Sequence, residues 1–229
     1  MNIAIIPARI GSKRVKQKNI KIFEGKPLIY YSIKAAKKTK IFDKILVSTD
    51  SKKIRDIVLR YGAEVPFLRP KKLSDDYTGT KDVINHSIKW CMKNKIEAKY
   101  VCCIYPTAPF INYKNLIKSY KLIKKKKVDF IISASKFQSS VFRSFYLKNG
   151  KINKIFSGFD NKRSQELKNT YYDAGQFYWG NKESWTLKDI FSKNSTIFEI
   201  PVLEGFDLNT NEDWKNIIKL NKIHGNKAS

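Results

Sequence analysis

Apolar positions recur along this chain in two alternating rhythms. "NIAIIP", Asn2 to Pro7, is a short unbroken apolar run of the kind a buried strand shows. "PLIYYSIKAAKKT" then places apolar residues three and four apart, which predicts a helix with Pro27 at its start. The pair repeats: "KILVST" reads as a strand and "DSKKIRDIVLRYG" as a helix, opened by Asp50 or Ser51 and closed by Gly62. "AEVPFL" is short and extended. A helix over "KDVINHSIKWCMKN" leads to a strand over "KYVCCIYP", a helix over "NYKNLIKSYKLIKKKK" and a strand over "VDFIISAS". Strands and helices interleaved so regularly predict an α/β fold, a Rossmann-like, mostly parallel sheet flanked by helices.

Near Lys136 the rhythm changes. To about residue 172 the segments are shorter, with turn signals at "KNGK" and "FSGFDNKRS", which predicts a hairpin-like insertion. "DAGQFYWGN" then reads as a strand running into a turn and "KESWTLKDIF" as a short helix. "TIFEIPV" is a strand, and "NEDWKNIIKLNKI" a terminal helix capped by Thr210 or Asn211. With no repeat and no linker, residues 1–229 form one domain carrying an arm at about 137–172.

Charge changes the picture less than its size promises. A net +26 raises nucleic acid or an anionic membrane as partners. The excess is nearly all lysine, spread through every segment, and the densest block, Lys124 to Lys127, closes a predicted helix, where lysines are favoured. That distribution reads as a solvated surface, and no segment is long and apolar enough to cross a membrane. Cys102 and Cys103, neighbours in a strand, point to opposite faces; with Cys91 they form no metal or disulfide spacing. His86 and His224 are isolated structural or surface residues. The first residues carry no signal-peptide pattern, so a reduced, cytoplasmic location is expected.

In an open parallel sheet, ligands bind beyond the carboxyl ends of the strands. The loop after the first strand supplies Arg9, Ser12, Lys13, Arg14, Lys16 and Lys18. Arginine forks onto phosphate oxygens, lysine adds a mobile charge, and Ser12 with backbone N–H groups adds hydrogen bonds. Yet the loop matches neither glycine-rich phosphate fingerprint, and only Gly11 stands ready for a backbone turn. By spacing alone, a triphosphate cradle and an ordinary basic surface loop fit it equally. Asp50 and Asp207 fall at strand ends, where each could ligate Mg²⁺ or cap a helix; for Asp50 the cap is expected.

These stretches together resemble a known family. "IIPARIGSKRVKQKNI" resembles the signature of the CMP-sialic acid synthetases, A-R-x-x-S-K/R followed by a K-N pair. "FDKILVSTDS", "GAEVPFLRPKKLSDD" and "YPTAPF" follow in that family's order, and "FDLNTNEDW" sits where its D-x-D-T motif belongs. "VPFLRP", "LSDDYTGT", "FRSF", "RSQE" and above all "YYDAGQFYWG" resemble its pseudaminic acid cytidylyltransferase branch. The resemblance covers essentially the whole chain.

It implies a nucleotidyltransferase-type fold with a dimerisation arm, hence a homodimer, and a reaction between CTP and a nine-carbon 2-keto sugar acid: CTP + pseudaminate → CMP-pseudaminate + diphosphate. Carried over, Arg9, Ser12 and Lys18 would contact the CTP phosphates, Asn19 the ribose or base, and Arg69 the region of cytosine. Arg163 and Gln176 would bind the sugar acid. Asp207, with Asn209, would hold Mg²⁺, and Arg9, Lys18 and Asp207 would carry the catalysis. Ile10 replaces a common glycine, and Asn209 replaces the motif's second aspartate, an amide oxygen for a carboxylate. Three other readings stand beside this one: the same chemistry on legionaminate, N-acetylneuraminate or 3-deoxy-octulosonate; a basic nucleic-acid-binding protein; and a relative that binds nucleotide without turning it over.

Overall fold

The alternating runs fold into a six-stranded sheet in the order β10-β6-β9-β5-β1-β4. A computed structural model of the protein describes residues 1–206 and 208–225. In chain order the elements are β1 (Asn2–Pro7), β2 (Ile22–Phe23), β3 (Lys26–Pro27), α1 (Ile29–Thr39), β4 (Lys44–Ser48), α2 (Lys52–Leu59), α3 (Thr80–Lys93) and β5 (Tyr100–Ile104). Then come α4 (Tyr113–Lys125), β6 (Phe130–Lys136), β7 (Phe145–Lys148), β8 (Lys151–Lys154), β9 (Tyr171–Asn181), α5 (Lys182–Leu187), β10 (Thr196–Glu199) and α6 (Asn211–Gly225). β4, β1 and β5 are parallel, as are β6 and β10, while β9 runs antiparallel between β5 and β6.

The sheet is covered on both faces, and the pleat of β1 shows why. Ala4 and Ile6 enter one core with Ile29 and Ile33 of α1, Ile54 of α2 and Leu116 of α4. Ile3 and Ile5 enter the other with Ile84 and Ile88 of α3 and Trp185 of α5. Successive strand residues point to opposite faces, so a strand buried on both sides must be apolar throughout. Cys102 and Cys103 divide between the same two cores, both fully buried, and burial pushes both thiols well up. Truncating any of these core isoleucines to alanine would cost about 2–5 kcal/mol.

Pro27 lies just ahead of its helix, in the β2–β3 pair opposite Ile22; α1 begins at Ile29. At α2 the cap is Ser51, whose hydroxyl accepts the Ile54 N–H at 3.3 Å, and not Asp50. "AEVPFL" makes isolated parallel bridges to β4, Leu46 with Glu64 and Thr49 with Leu68. Thr210 caps α6: its hydroxyl accepts the Asp213 N–H at 3.1 Å and Asp213 returns the bond to the Thr210 N–H at 2.7 Å.

A third, smaller core matters most for position. Val15 of the basic loop, Phe23, Leu28, Leu208 and Ile217 of α6 are buried together, with Trp214 against them. It fastens the loop after β1 to the chain segment entering α6, which are far apart in sequence.

Between β6 and β9 the chain forms a separate hairpin, β7 with β8, turned at Asn149 and Gly150, both in the left-handed region. Its Phe145, Tyr146, Leu147 and Ile152 are all more than half exposed.

Candidate active site

At the carboxyl ends of β1, β4 and β5 lies a cleft of about 280 Å³, lined in part by Arg9, Lys18, Asn19, Arg69, Thr80 and Tyr105. The basic loop forms its floor and is shaped by its own side chains. The Ser12 hydroxyl donates to the Val15 carbonyl at 2.7 Å and accepts the Lys18 N–H at 3.0 Å. Asn19 Nδ2 donates to the Arg9 carbonyl at 2.8 Å, and the Ile10 N–H donates to Asp50 Oδ1 at 2.9 Å. Asp50 therefore ties the loop to the end of β4. The tight backbone turn falls on Gln17, with φ +50°, and not on Gly11, whose backbone is outside the left-handed region and where a Cβ would meet nothing within 4 Å. Gly11 is not demanded by conformation, and Ile10 packs its side chain against the core.

The cations around the cleft are held in different ways. Arg9 pairs with Asp76 at 2.6 Å, and Lys13 takes the other oxygen of the same carboxylate at 2.6 Å. Hydrogen bonds from Lys13 and then Arg9 hold the Asp76 carboxyl below the usual carboxylate range. Lys18 Nζ reaches the Leu208 carbonyl at 2.9 Å. Arg69 is 5 % exposed, anchored by its N–H to the Thr49 carbonyl and by Nε to Ser74 Oγ. Burial lowers its pKa, Asp50 opposes that, and the Arg9 charge adds to it; an arginine so placed is still a cation.

Two further hollows adjoin the cleft. One, about 270 Å³ and lined by Ser12, Lys13, Arg14 and Lys18, shares Arg9, Asp76 and Asn209 with it. The other, about 490 Å³, lies between β9 and the approach to α6 and includes Tyr172, Asp173, Phe206 and Asp213. Asn209 borders all three, and its Oδ1 accepts from Arg14 Nη2 at 3.3 Å.

A family model described as Cytidylyltransferase matches residues 3–224. This chain belongs to the cytidylyltransferase family. It is 38% identical to the pseudaminic acid cytidylyltransferase of Campylobacter jejuni, an alignment spanning 99% of both chains. It is also 43% identical to the CMP-N,N'-diacetyllegionaminic acid synthase of Legionella pneumophila, over 47% of each chain. A solved structure of a CMP:2-keto-3-deoxy-manno-octonic acid synthetase with CTP superposes with a TM-score of 0.73, covering 97% of this chain and 99% of that one, at 15% identity. That last likeness is one of fold.

On this cytidylyltransferase the structure brings Arg9, Lys18, Asn19 and Arg69 to one cleft, with Asn209 at its edge. Ser12 lies beside it, its hydroxyl proton committed to Val15. Asp207 lies outside the described residues. Two expected sugar contacts do not line any of the three hollows. Gln176 is fully buried: its amide nitrogen, Nε2, donates to the Glu204 carbonyl, so it braces β9 from within. Arg163 is on the arm, exposed, at the head of a short 3-10 turn where its N–H donates to Glu166. Thr80, Tyr105 and Asp76 were not singled out from sequence. The signals were there, in "LSDDYTGT" and "YPTAP", but nothing in their spacing tells which residue faces the cleft.

Proposed function

We propose that this cytidylyltransferase activates a nine-carbon 2-keto sugar acid, pseudaminate, by transfer of CMP from CTP with release of diphosphate. The observation that carries this is the cleft floor: Arg9, Lys18 and Arg69 at the carboxyl ends of parallel strands, adjoining a hollow large enough for a second substrate. The kinship with the Campylobacter jejuni enzyme, over nearly the full length of both chains, supports the choice of sugar.

In this reading the anomeric hydroxyl of the sugar acid attacks the α-phosphorus, the new P–O bond forming as the bond to diphosphate breaks on the opposite side. The chain's contribution is to align the two substrates and to neutralise charge on the leaving group. Arg9 and Lys18 face that charge. Asn19 and Arg69, both buried beside the cleft, fit the nucleoside end, and the Asn19 Oδ1, which has no hydrogen-bond partner among the described residues, is an acceptor a nucleoside donor would satisfy.

Mg²⁺ is the metal this reading expects. The described cleft residues with donor side chains, Asn209, Asp75 and Asp76, offer oxygen, which suits a hard cation. Among the described residues no group of three or more His, Cys, Asp or Glu could hold an ion by itself, so Asp207 and the substrate's phosphate oxygens would complete its shell. When bound, the ion would supply further charge stabilisation to the departing diphosphate. A homodimer built through the β7–β8 arm is also proposed, supported by the exposed apolar residues of that hairpin. Charged substitution of Leu147 and Ile152 should then shift the sedimentation coefficient to that of a single chain. The location is proposed to be cytoplasmic, where CTP is at hand.

Incubating the protein with CTP, Mg²⁺ and, in turn, pseudaminate, legionaminate, N-acetylneuraminate and 3-deoxy-octulosonate tests the reading. Diphosphate release is expected fastest with pseudaminate. Preference for legionaminate would move the assignment toward the Legionella-type relative. CTP binding with no release for any acid would leave a nucleotide-binding relative, and salt-sensitive DNA binding without either would return the nucleic-acid reading.

A further inference from the structure

The larger hollow beside Asn209 has a chemistry opposite to the rest of the molecule. In a chain of net charge +26, its described lining contains no lysine or arginine and two carboxylates, Asp173 and Asp213. Such a lining repels phosphate and carboxylate and suits a neutral face rich in hydrogen-bond donors. Asp213 is already employed: its Oδ2 accepts the N–H groups of Asn209 at 2.9 Å and Thr210 at 2.7 Å. Asp173 is exposed. Its Oδ1 accepts the Gly175 N–H at 2.9 Å and its Oδ2 accepts the Tyr178 hydroxyl, and a carboxylate so engaged keeps a further lone pair on each oxygen.

The backbone aims this side chain by an irregularity of β9. Between the pairs Ile132–Tyr178 and Ala134–Asp173 the register shifts, so that Ser133 alone faces residues 174–177. Ser133 Oγ accepts the N–H groups of both Gln176 and Phe177, at 3.2 and 3.1 Å, and Gly175 takes φ +59°. Bulges of this kind re-aim side chains next to active sites. Gly205 closes against the same spot, where an added Cβ would lie 2.6 Å from Ser135 Oγ.

Asp173 is also wired to the nucleotide cleft. The Tyr178 ring packs edge-on against Tyr105, centroids 5.4 Å apart, and the Tyr105 hydroxyl lies 2.7 Å from Thr80 Oγ1; both Thr80 and Tyr105 line that cleft. Burial, with Tyr105 and Asp173 adding to it, pushes the Tyr178 phenol far above its ordinary range. It therefore stays a donor toward Asp173 Oδ2.

We propose that Asp173 seats the sugar acid by accepting a hydrogen bond from a hydroxyl or acylamino N–H on the sugar's uncharged face, with Tyr178, Tyr105 and Thr80 fixing its aim from the nucleotide side. The inference rests on the sugar-acid reading above. Asp173 touches substrate; Tyr178 is a positioning residue.

The test is steady-state kinetics of wild type, Asp173→Asn and Tyr178→Phe with the sugar acid that wild type turns over fastest, alongside calorimetry of CTP binding. Asp173→Asn is near-isosteric, and CTP affinity equal to wild type shows that it has folded. A lost bond to a charged acceptor is expected to raise KM for the sugar about 10- to 100-fold, with KM for CTP within about two-fold. Tyr178→Phe should move the same constant in the same direction by about 3- to 10-fold. An unchanged sugar KM in Asp173→Asn, or an equal rise in both KM values, overturns the proposal in favour of a purely structural bulge. If wild type binds CTP yet turns over no sugar acid, the functional reading falls and this inference with it, an outcome told apart from failure of Asp173 alone by the wild-type arm.

Discussion

The cleft and the hollow that meet at Asn209 are built in opposite ways. The cleft is made by loops that follow parallel strands, and its cations come mainly from one stretch, Arg9 to Lys18, whose internal bonds run from Ser12 to Val15 and Lys18 and from Asn19 to Arg9. The hollow is assembled from a register shift in an antiparallel strand and from the segment entering α6. The first is cationic; the second, in the same strongly basic chain, has only acidic charge among its described lining residues. Net charge thus says little about partners, whereas the place where bases are missing says a good deal. In the proposed reading one hollow takes the polyanionic nucleotide and the other the uncharged part of its acceptor.

The comparison breaks first at Asn209, where the two meet, and at Asp207, two residues before it in the sequence. Asp207→Ala should abolish diphosphate release in Mg²⁺, while Asn209→Asp, which restores a second carboxylate, should keep or raise it. Undiminished turnover in Asp207→Ala would sink the metal assignment. Next comes the cleft alone. Arg9→Ala should lower kcat/KM for CTP by about 100- to 1,000-fold, the usual cost of removing a donor aimed at developing charge. A loss below about five-fold would mean that the basic loop is surface and the contrast of the two hollows is accidental.

A smaller effect tests how the loop is held. Ser12→Ala leaves the Lys18 N–H and the Val15 carbonyl without the partner they have now, a penalty of about 1–3 kcal/mol if they stay buried. The expected result is a drop of about ten-fold in kcat/KM for CTP, restored by Ser12→Thr, with the sugar KM unmoved. A matching rise in the sugar KM would show that the loop shapes both hollows.

Much of this was legible from residues because it is local. Ile3 to Ile6 can only be a strand buried on both faces, and the three-and-four spacing of α1 and α4 needs no partner to be read. What failed depends on partners distant in sequence. Asp50 looks like a cap until Ile10 arrives from the loop after β1 to donate to it. Gln176 looks like a ligand residue in a distinctive motif, yet Ser133 and Glu204, from two other segments, fold it inward. The turn in the basic loop falls on Gln17, with φ +50°, because the Ser12 staple sets where the chain must reverse, and the glycine is elsewhere. Family resemblance brought the cleft residues together; it offered no role for Asp76 or Asp173, whose meaning lies in pairings across the fold.

Asp76 gives the finest test. Its carboxylate holds Arg9 and Lys13, the same cations that the triphosphate would engage, so in the proposed reading it would compete with the nucleotide as well as order the loop. The pair is about a third exposed, and exposed ion pairs are weak. Asp76→Asn should accordingly tighten CTP binding only about two- to five-fold at neutral pH. The sign with pH follows from the lowered carboxyl: Asp76 is charged, and competes, above its folded-state pKa, and stops competing as pH falls through it, below the ordinary carboxylate range. The ratio of variant to wild-type affinity should therefore stay constant from neutral pH through the ordinary carboxylate range and fall to one only in stronger acid. A ratio below one at neutral pH would instead make Asp76 a support of the nucleotide-binding conformation, and the cleft would then depend on its own acid as the neighbouring hollow depends on Asp173.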